Sequence, residues 1–425
     1  MRSTVPNRPY DEMLATLVLL AAVSTVGQET FATPFAIETP ERLMLTPFVD
    51  GVLETAEWDS LGDAGGAVSY LQWEPGVLHL AATSPFGREI VFSLDMANDG
   101  WLRGEDNLEV RLRWDGGRAT ARLRWLDATP ATGPVWKPAP GFEKALVVAG
   151  AQSGELWSVE VTLIDPGSGR LPARNKGTLG IRADGVPFVE DDYPAYLPRT
   201  LTPVRFADRR LATPLEGLKV SYEVNTPVMG VGGEVWIRFT FEGSEALGIR
   251  RAVVDGVGLN STNLALLNTP FPLWDNKNRA FVDYKTPIVP PALPGYRIAR
   301  VRLQSSSGDS AEAHVSYRIA AIAEFDWVQP NVVPSRDTEQ RIRLPFYVRT
   351  FSPEVVRGMY AVLTPSGWRA EEGGDRNFSL RGMGAAARRV LQLVVPPGAK
   401  GTFPLVFRAD LGDRTIEQTL WLTVD

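Results

Sequence analysis

Apolar and polar residues alternate at every second position along most of this chain. In the segment 107–114, NLEVRLRW, the side chains of Leu108, Val110 and Leu112 share one face and charged residues occupy the other, which is the pattern of a half-buried β-strand. Similar runs recur through residues 75–425, separated by turn sequences such as DGG and DPGSG. Helical periodicity is scarce after residue 30. The pattern therefore predicts an all-β protein.

Two stretches rich in turn residues and proline divide the strand runs. Residues 207–217, ADRRLATPLEG, form the first, and residues 329–335, QPNVVPS, form the second. A chain of 425 residues also exceeds one ordinary hydrophobic core. We therefore predict three β-sandwich domains in series, at 40–206, 213–330 and 336–425.

The N-terminal residues resemble a secretory signal peptide. The apolar run MLATLVLLAAVSTVG (13–27) is short for a membrane span and follows Arg2 and Arg8. The sequence TFA at 30–32 offers small residues at the positions that a signal peptidase reads. The acids directly before the run depart from this pattern and leave a buried helix as the alternative. We expect residues 1–32 to be a signal peptide of a secreted or cell-envelope protein with no membrane span in the mature chain.

Composition restricts the chemistry that the chain can perform. A hydrophobic content of 44% and a charged content of 22% are typical of a globular protein. The net charge of −6 argues against nucleic acid as a partner, because phosphate binding needs a basic face. There is no Cys, which excludes disulfides, thiol nucleophiles and thiolate metal sites. His79 and His314 are the only histidines, so a histidine zinc site or a Ser-His-Asp triad is not expected.

Four short motifs occur in order within residues 40–206. They are Asp50-Gly51 with Glu54 and Trp58, then Trp101 with Asp106 and Glu109, then Arg124, and finally Trp157 with Glu160. In this order and spacing they resemble the family 9 carbohydrate-binding module and its relatives, the DOMON-like domains. The resemblance covers about 160 residues and implies a β-sandwich that binds a polysaccharide or oligosaccharide without catalysis.

The resemblance also implies a set of binding residues. In sugar-binding members two aromatic rings enclose the sugar, while polar and charged side chains bind its hydroxyl groups. A pyranose face packs on an aromatic ring, and carboxylates and guanidinium groups supply directional hydrogen bonds. Trp101 matches one of the rings, and either Tyr193 or Tyr196 matches the other. The side chains that match the hydroxyl-binding role are Asp106, Glu109 and Arg124. The tyrosines depart from the family, which has Trp at that position.

The polar candidates also have structural interpretations. Asp106 and Glu109 are three residues apart, so on a flat strand their side chains face opposite sides. Asp106 can then cap the preceding turn. Either acid can also form an ion pair with Arg111, Arg113 or Arg124.

The aromatic residues divide in the same way. Trp101 lies among turn residues, and Trp136 lies in the proline-rich sequence GPVWKPAPG, which can border a site. The tryptophans on strand positions are expected in the core; they are Trp58, Trp114, Trp125 and Trp157.

Calcium is the one metal that the sequence leaves open. The acid run VEDDY (189–193) offers the hard oxygen ligands that Ca²⁺ prefers. Three consecutive acids also occur in ordinary solvated loops, and the run lacks the alternating Asp spacing of a dedicated site. Apart from this possibility we expect no cofactor.

The last two domains add little about function. Residues 336–425 resemble the Ig-like domain that follows sugar-binding modules in α-galactosidase-type proteins, which implies that the sequence TPSGW tucks Trp368 against the sandwich. Residues 213–330 predict only a β-sandwich of unassigned type. Within them, FPLWDNKNRAF (271–281) is polar and aromatic enough for a surface site, although a long ordered loop is the alternative.

Three functions remain open at this point. The first is a secreted, non-catalytic carbohydrate-binding protein. The second is a structural or adhesive cell-envelope protein that has kept the sandwich without a sugar ligand. The third is an accessory of a separate glycoside hydrolase or deacetylase. An enzyme is not expected, because no pair of carboxylates stands in a recognisable catalytic context.

Overall fold

The computed structural model describes most of the chain from residue 41 onward. The described residues are 41–54, 57–64, 66–102, 105–127, 135–143, 145–167, 169–187, 200–212, 218–224, 228–242, 249–257, 267–270, 279–288, 293–305, 310–329, 332–371 and 376–425. Their strands form six sheets that pack in pairs, because each sheet has one apolar face to bury. The chain is thus all-β, as three β-sandwiches. The signal peptide expected at residues 1–32 lies outside the described residues.

The first domain pairs a seven-stranded sheet with a five-stranded sheet. Its elements are β1 Glu41–Leu43, β2 Asp59–Ala64, β3 Ala67–Glu74, β4 Val77–Pro85, β5 Arg88–Asp95, β6 Asn107–Asp115, β7 Arg118–Asp127, β8 Val135–Pro138, α1 Pro140–Glu143, β9 Leu146–Ser153, β10 Leu156–Ile164, β11 Thr178–Pro187 and β12 Thr202–Ala207. The sheet orders are β1-β12-β11-β5-β6-β7-β8 and β2-β3-β4-β10-β9. The alternating residues Leu108, Val110 and Leu112 of β6 are fully buried between the two sheets.

The middle domain pairs a six-stranded sheet with a three-stranded sheet. Its strands are β13 Arg209–Ala212, β14 Lys219–Val224, β15 Val228–Met229, β16 Glu234–Glu242, β17 Ile249–Val257, β18 Leu267–Pro270, β19 Arg279–Pro287, β20 Gly295–Ser305 and β21 Ser310–Ile319. The larger sheet has the order β13-β21-β20-β17-β18 with β15 on β21, and the smaller one has the order β14-β16-β19. Phe239 and Phe241 of β16 lie fully buried in the core between these sheets.

The third domain pairs a four-stranded sheet with a five-stranded sheet. Its strands are β22 Glu324–Trp327, β23 Val332–Val333, β24 Gln340–Arg349, β25 Val355–Leu363, β26 Arg369–Ala370, β27 Asn377–Arg381, β28 Ala386–Val395, β29 Gly401–Asp410 and β30 Thr415–Val424. The orders are β22-β24-β28-β26 and β23-β30-β29-β25-β27. Trp368 is buried at 6% exposure. Its ring packs on that of Phe403, with 4.6 Å between centroids, as the TPSGW motif implies.

Strand pairing differs slightly from the predicted domain ranges. The strand β13 precedes residue 213 but pairs with β21 of the middle domain. The strand β22 precedes residue 330 but pairs with β24 of the third domain. Both are edge strands of four residues, too short to carry an alternating pattern that would assign them to a sheet.

The first and middle domains are joined by more than a linker. The chain following β1 runs between them, where Thr46 exchanges hydrogen bonds with Tyr296: its backbone N–H donates to the Tyr296 carbonyl at 3.3 Å and its Oγ1 accepts from the Tyr296 N–H at 2.8 Å. Leu43, Leu45 and Ile298 bury a small apolar cluster at the same contact. The two sandwiches are therefore packed against each other.

Among the residues that the structure describes, α1 is a helix of four residues. No helix in this part of the chain is long and apolar enough to cross a membrane.

Candidate functional site

The loop that joins β5 to β6 presents Trp101 at one end of the first domain. Asp95, at the end of β5, holds this loop, because its Oδ2 accepts the N–H of Gly100 at 2.7 Å. The Oδ2 of Asp106 accepts the N–H of Ala97 at 2.7 Å, and the Oδ1 of Asn107 accepts the N–H of Leu102 at 3.0 Å. These contacts are side-chain caps of a turn. Asp106 thus shapes the loop that carries Trp101.

Trp101 packs against Trp136 rather than standing alone. The two ring centroids are 5.5 Å apart and the planes are inclined by 32°. Both side chains are half-buried. Their indole N–H groups are shielded from solvent and have no hydrogen-bond partner among the described residues. The sequence GPVWKPAPG therefore does contribute to the surroundings of Trp101, through a short strand, β8, that pairs with β7.

Arg124 and Glu109 lie beside this aromatic pair. The guanidinium carbon of Arg124 is 5.8 Å from the ring centroid of Trp136. Its Nε and Nη2 donate to Oε1 of Glu109 at 3.1 and 2.5 Å. Glu109 is fully buried, and its Oε2 has no hydrogen-bond partner among the described residues. The structure thus brings Trp101 and Arg124 to one corner around Trp136. The buried carboxylate of Glu109 orients the guanidinium through its hydrogen bonds.

The face of the seven-stranded sheet that points away from the core is polar and buried. Arg111 and Arg113 both donate to Glu89, the second at 2.6 Å, and Glu89 is fully buried. Buried charges are tolerated when they are paired and hydrogen-bonded, and each of these three charges has a partner, although Nε of Arg111 has no hydrogen-bond partner among the described residues. Sequence reasoning missed Glu89 as a partner. The signal was available, since Glu89, Arg111 and Arg113 all fall on the charged side of alternating strands.

Three acids at the base of the Trp101 loop form the one group of potential metal ligands in the described part of the chain. Carboxylate oxygens of Asp95, Asp99 and Asp106 lie within 4.8 Å of one another. Burial raises the pKa of Asp95, and a hydrogen bond with the Asp106 carboxyl raises it further. Such an oxygen set suits Ca²⁺, but acids that share a proton are also stable without an ion. The run 189–193 lies outside the described residues.

The second ring of the expected aromatic pair was predicted at Tyr193 or Tyr196. Tyr193 and Tyr196 both lie outside the described residues. Of the tryptophans expected in the core, Trp58 and Trp157 are buried. Trp114 and Trp125 are half-buried and pack against the core from its margin.

Asp50, Gly51, Trp58 and Glu160, from the first and last motifs, form a separate cluster beside the five-stranded sheet. Oε2 of Glu160 accepts the N–H groups of Asp50 and Gly51, and Oε1 accepts the indole N–H of Trp58 at 3.2 Å. Glu160 is fully buried, and burial raises its pKa to about 7. This part of the motif set therefore fastens the N-terminal stretch to β10.

The two histidines have structural partners. His79 Nδ1 lies 2.9 Å from Thr162 Oγ1, and its Nε2 lies 3.1 Å from Glu74 Oε1. His314 Nε2 lies 3.4 Å from Glu312 Oε2, and burial lowers its pKa to about 4. The two rings are on different domains.

No family model and no curated protein matches the chain. Among solved structures it is similar to alpha-2-macroglobulin of Escherichia coli activated by porcine elastase, at 11% identity and a TM-score of 0.28 over 91% of this chain and 44% of that one. It is similar to a protein from Corynebacterium diphtheriae described as membrane anchored, at 9% identity and a TM-score of 0.21, over 86% of this chain and 88% of that one. It is also similar to the fibronectin(III)-like modules of Clostridium thermocellum CbhA, at 11% identity and a TM-score of 0.15, over 48% of this chain and 94% of that one. This chain spans less than half the length of the macroglobulin. These identities and TM-scores assign neither a family nor a function to the chain.

Proposed function

We propose that the protein is a secreted or cell-envelope, non-catalytic carbohydrate-binding protein whose first domain binds glycan at Trp101, Trp136 and Arg124. The observation that carries this proposal is the contact between two half-buried indoles, both with unpartnered N–H groups, beside a guanidinium held by Glu109. The order of the four sequence motifs supports the same ligand class.

The chemistry of this corner suits a sugar. Indole faces pack on the C–H face of a pyranose, and a fixed guanidinium donates to hydroxyl groups in a defined direction. A buried donor without an acceptor costs about 1–3 kcal/mol. A ligand hydroxyl that reaches either indole N–H after a small adjustment of the loop would remove that cost. Glu109 acts as a positioning residue here, because it is buried beneath Arg124.

The test is binding of the full chain to soluble xylan, β-glucan and their oligosaccharides, measured by affinity electrophoresis and calorimetry. Trp101→Ala and Trp136→Ala are expected to weaken binding at least tenfold. The matched control is Phe86→Ala, since Phe86 is an exposed ring (38%) elsewhere on the same domain, in edge contact with Trp114. Equal binding by all variants, or no binding by the native chain, would reject the proposal.

A structural or adhesive role is the second candidate. It is favoured by the direct contact of the Trp101 and Trp136 rings, which leaves no room for a sugar between those two rings. In this case the corner is a packed end of the sandwich and the chain acts through its other surfaces. Service as an accessory to a separate hydrolase or deacetylase is compatible with either candidate, and enrichment of such an enzyme on the immobilised chain would support it.

A further inference from the structure

The three-stranded sheet of the middle domain has one face turned away from the core. Along β16 the residues Val235, Ile237 and Phe239 are fully buried, so Trp236 and Arg238 point outward. Strand register brings further outward residues beside them: Lys285 is opposite Trp236, and Asp283 is opposite Arg238. We call the outward side chains of β14, β16 and β19 the middle-domain face.

Two aromatic rings and one guanidinium dominate this face. The guanidinium carbon of Arg238 is 5.2 Å from the ring centroid of Trp236 and 5.6 Å from that of Phe281. Lys285 Nζ is 5.5 Å from the Trp236 centroid. Proteins have about one energetically significant cation–π contact per 70–80 residues. Three such contacts on one three-stranded sheet are therefore many more than the average frequency predicts. Arg238 therefore separates and orients two rings on a single surface.

A carboxylate fixes the guanidinium from the neighbouring strand. Nε and Nη2 of Arg238 donate to the two oxygens of Asp283 at 2.8 and 3.1 Å, which is a bidentate pair. The hydrogen bond from Arg238 lowers the pKa of Asp283. The pair is accessible, since the side chain of Arg238 is 38% exposed and that of Asp283 is 29% exposed. Phe281 is 40% exposed.

We propose that the middle-domain face is a second carbohydrate-binding site, with one sugar ring on Trp236, another on Phe281, and the Arg238–Asp283 pair bound to hydroxyl groups between them. This proposal takes from the function proposed for the first domain only the class of ligand, a carbohydrate. Its residues belong to a different domain, and one of them, Phe281, is the last residue of the segment 271–281 that was noted above for its aromatic and polar content.

The composition of the face favours a glycan over a protein partner. Protein interfaces have a core from which charged residues are depleted. Apart from its two rings and Pro287 at one end, the described outward positions of this face carry only polar side chains: Lys219, Ser221, Glu223, Glu234, Arg238, Thr240, Glu242, Asp283 and Lys285. No Val, Leu, Ile or Met is among them. Rings set among paired hydrogen-bonding groups match the alternating C–H and hydroxyl surfaces of a polysaccharide.

The experiment is co-sedimentation of the full chain with insoluble xylan, cellulose and chitin. Trp236→Ala and Phe281→Ala are each expected to lower the bound fraction at least fivefold, while Trp236→Phe, which retains a ring, keeps most of it. The matched control is Tyr347→Ala in the third domain, because Tyr347 is also half-buried and lies 4.7 Å from a guanidinium carbon, that of Arg349. The thermal midpoint of each variant is measured to check that it is folded. If Trp236→Ala does not fold, Phe281→Ala still tests the proposal, because Phe281 is exposed.

Trp101→Ala in the same assay separates the two proposals. If Trp236→Ala and Phe281→Ala lose binding and Trp101→Ala does not, the middle-domain face is supported and the first-domain site fails. If only Trp101→Ala loses binding, the inference about the middle domain is overturned. Absence of binding by the native chain to every polysaccharide overturns both. A loss of self-association in analytical ultracentrifugation for Trp236→Ala, with polysaccharide binding unchanged, would identify a chain–chain contact and also overturn the inference.

Discussion

Glu160 accepts a hydrogen bond of 2.6 Å from the backbone N–H of Gly51, a residue 109 positions earlier in the chain. The same carboxylate receives the N–H of Asp50 and the indole N–H of Trp58. Three donors converge on one fully buried acid, so the N-terminal stretch of the first domain is held on the strand β10. This arrangement gives a physical reason for the spacing of an Asp-Gly pair, a Trp and a late Glu.

Gly51 is required by this contact, and its replacement is expected to destabilise the first domain. Its φ is +93°, and a Cβ at this position would lie 2.7 Å from the backbone carbon of Gly150. We expect Gly51→Ala to lower the free energy of unfolding by about 3 kcal/mol, because strained backbone and overpacking act together. Urea unfolding followed by circular dichroism measures the change.

Gly154→Ala is the matched control for that substitution. Gly154 also has a positive φ, +61°, but nothing lies within 4 Å of the position of an added Cβ. Its expected cost is about 1 kcal/mol, from the left-handed backbone alone. Equal losses for the two variants would show that the approach of Gly150 is unimportant.

Stability of the first and middle domains is expected to respond to pH in opposite directions. Burial raises the pKa of both Glu160 and Glu57 to about 7, from an ordinary value of 4.5. The folded first domain therefore holds protons that the unfolded chain has released, and the stability gained is present below about pH 4.5 and lost as pH rises through about 7. His314 has a pKa lowered by burial to about 4. Its contribution in the middle domain is present above about pH 6.5 and lost as pH falls through about 4.

Urea titration with pulse proteolysis at pH 5.5 and pH 8, with fragments assigned by mass spectrometry, measures each domain separately. The first domain is expected to have the higher unfolding midpoint at pH 5.5, and the middle domain at pH 8. Glu160→Gln should reduce the pH dependence of the first domain and leave that of the middle domain unchanged. A first domain that is more stable at pH 8 would contradict the assignment of protonated buried acids.

Removing one partner of the Glu109–Arg124 ion pair is expected to lower the free energy of unfolding strongly, whereas replacing both partners with apolar residues is expected to lower it little. Removing one partner of a buried pair costs about 3–5 kcal/mol, and we expect the lower end for Glu109→Leu because the Arg124 side chain is 17% exposed. The double variant Glu109→Leu/Arg124→Leu should regain most of the loss. A double-mutant cycle in urea measures the coupling, and purely additive losses would show that the two side chains do not depend on each other.

Thr46 is expected to couple unfolding of the first two domains. Its hydroxyl donates to Glu74 Oε2 at 3.0 Å and accepts the N–H of Tyr296 at 2.8 Å. Thr46→Val keeps the shape but leaves that N–H without its acceptor, at a cost of about 1–3 kcal/mol. Scanning calorimetry should show the transitions of the two domains moving apart. Thr402→Val, which loses a hydroxyl contact to Thr423 within the third domain, should leave their spacing unchanged.

The strand pattern determined the all-β architecture because each sheet packs one apolar face into a core, so the alternation of Leu108, Val110 and Leu112 is visible without coordinates. The turn residues around Trp101 likewise indicated a loop, and the spacing of Asp106 and Glu109 indicated that they face different ways. Both inferences depend only on neighbours in the chain.

Contacts between distant strands were decided by the tertiary structure. No local sequence pattern predicts that Trp136 packs on Trp101, that Glu89 accepts hydrogen bonds from Arg111 and Arg113, or that Glu160 accepts the N–H of Gly51. These pairs depend on which strands become neighbours in a sheet and on their register, and a shift of one residue would turn Trp136, Glu89 or Glu160 to the opposite face. The sequence therefore determined the types of residue available for a site, and strand pairing determined which of them meet.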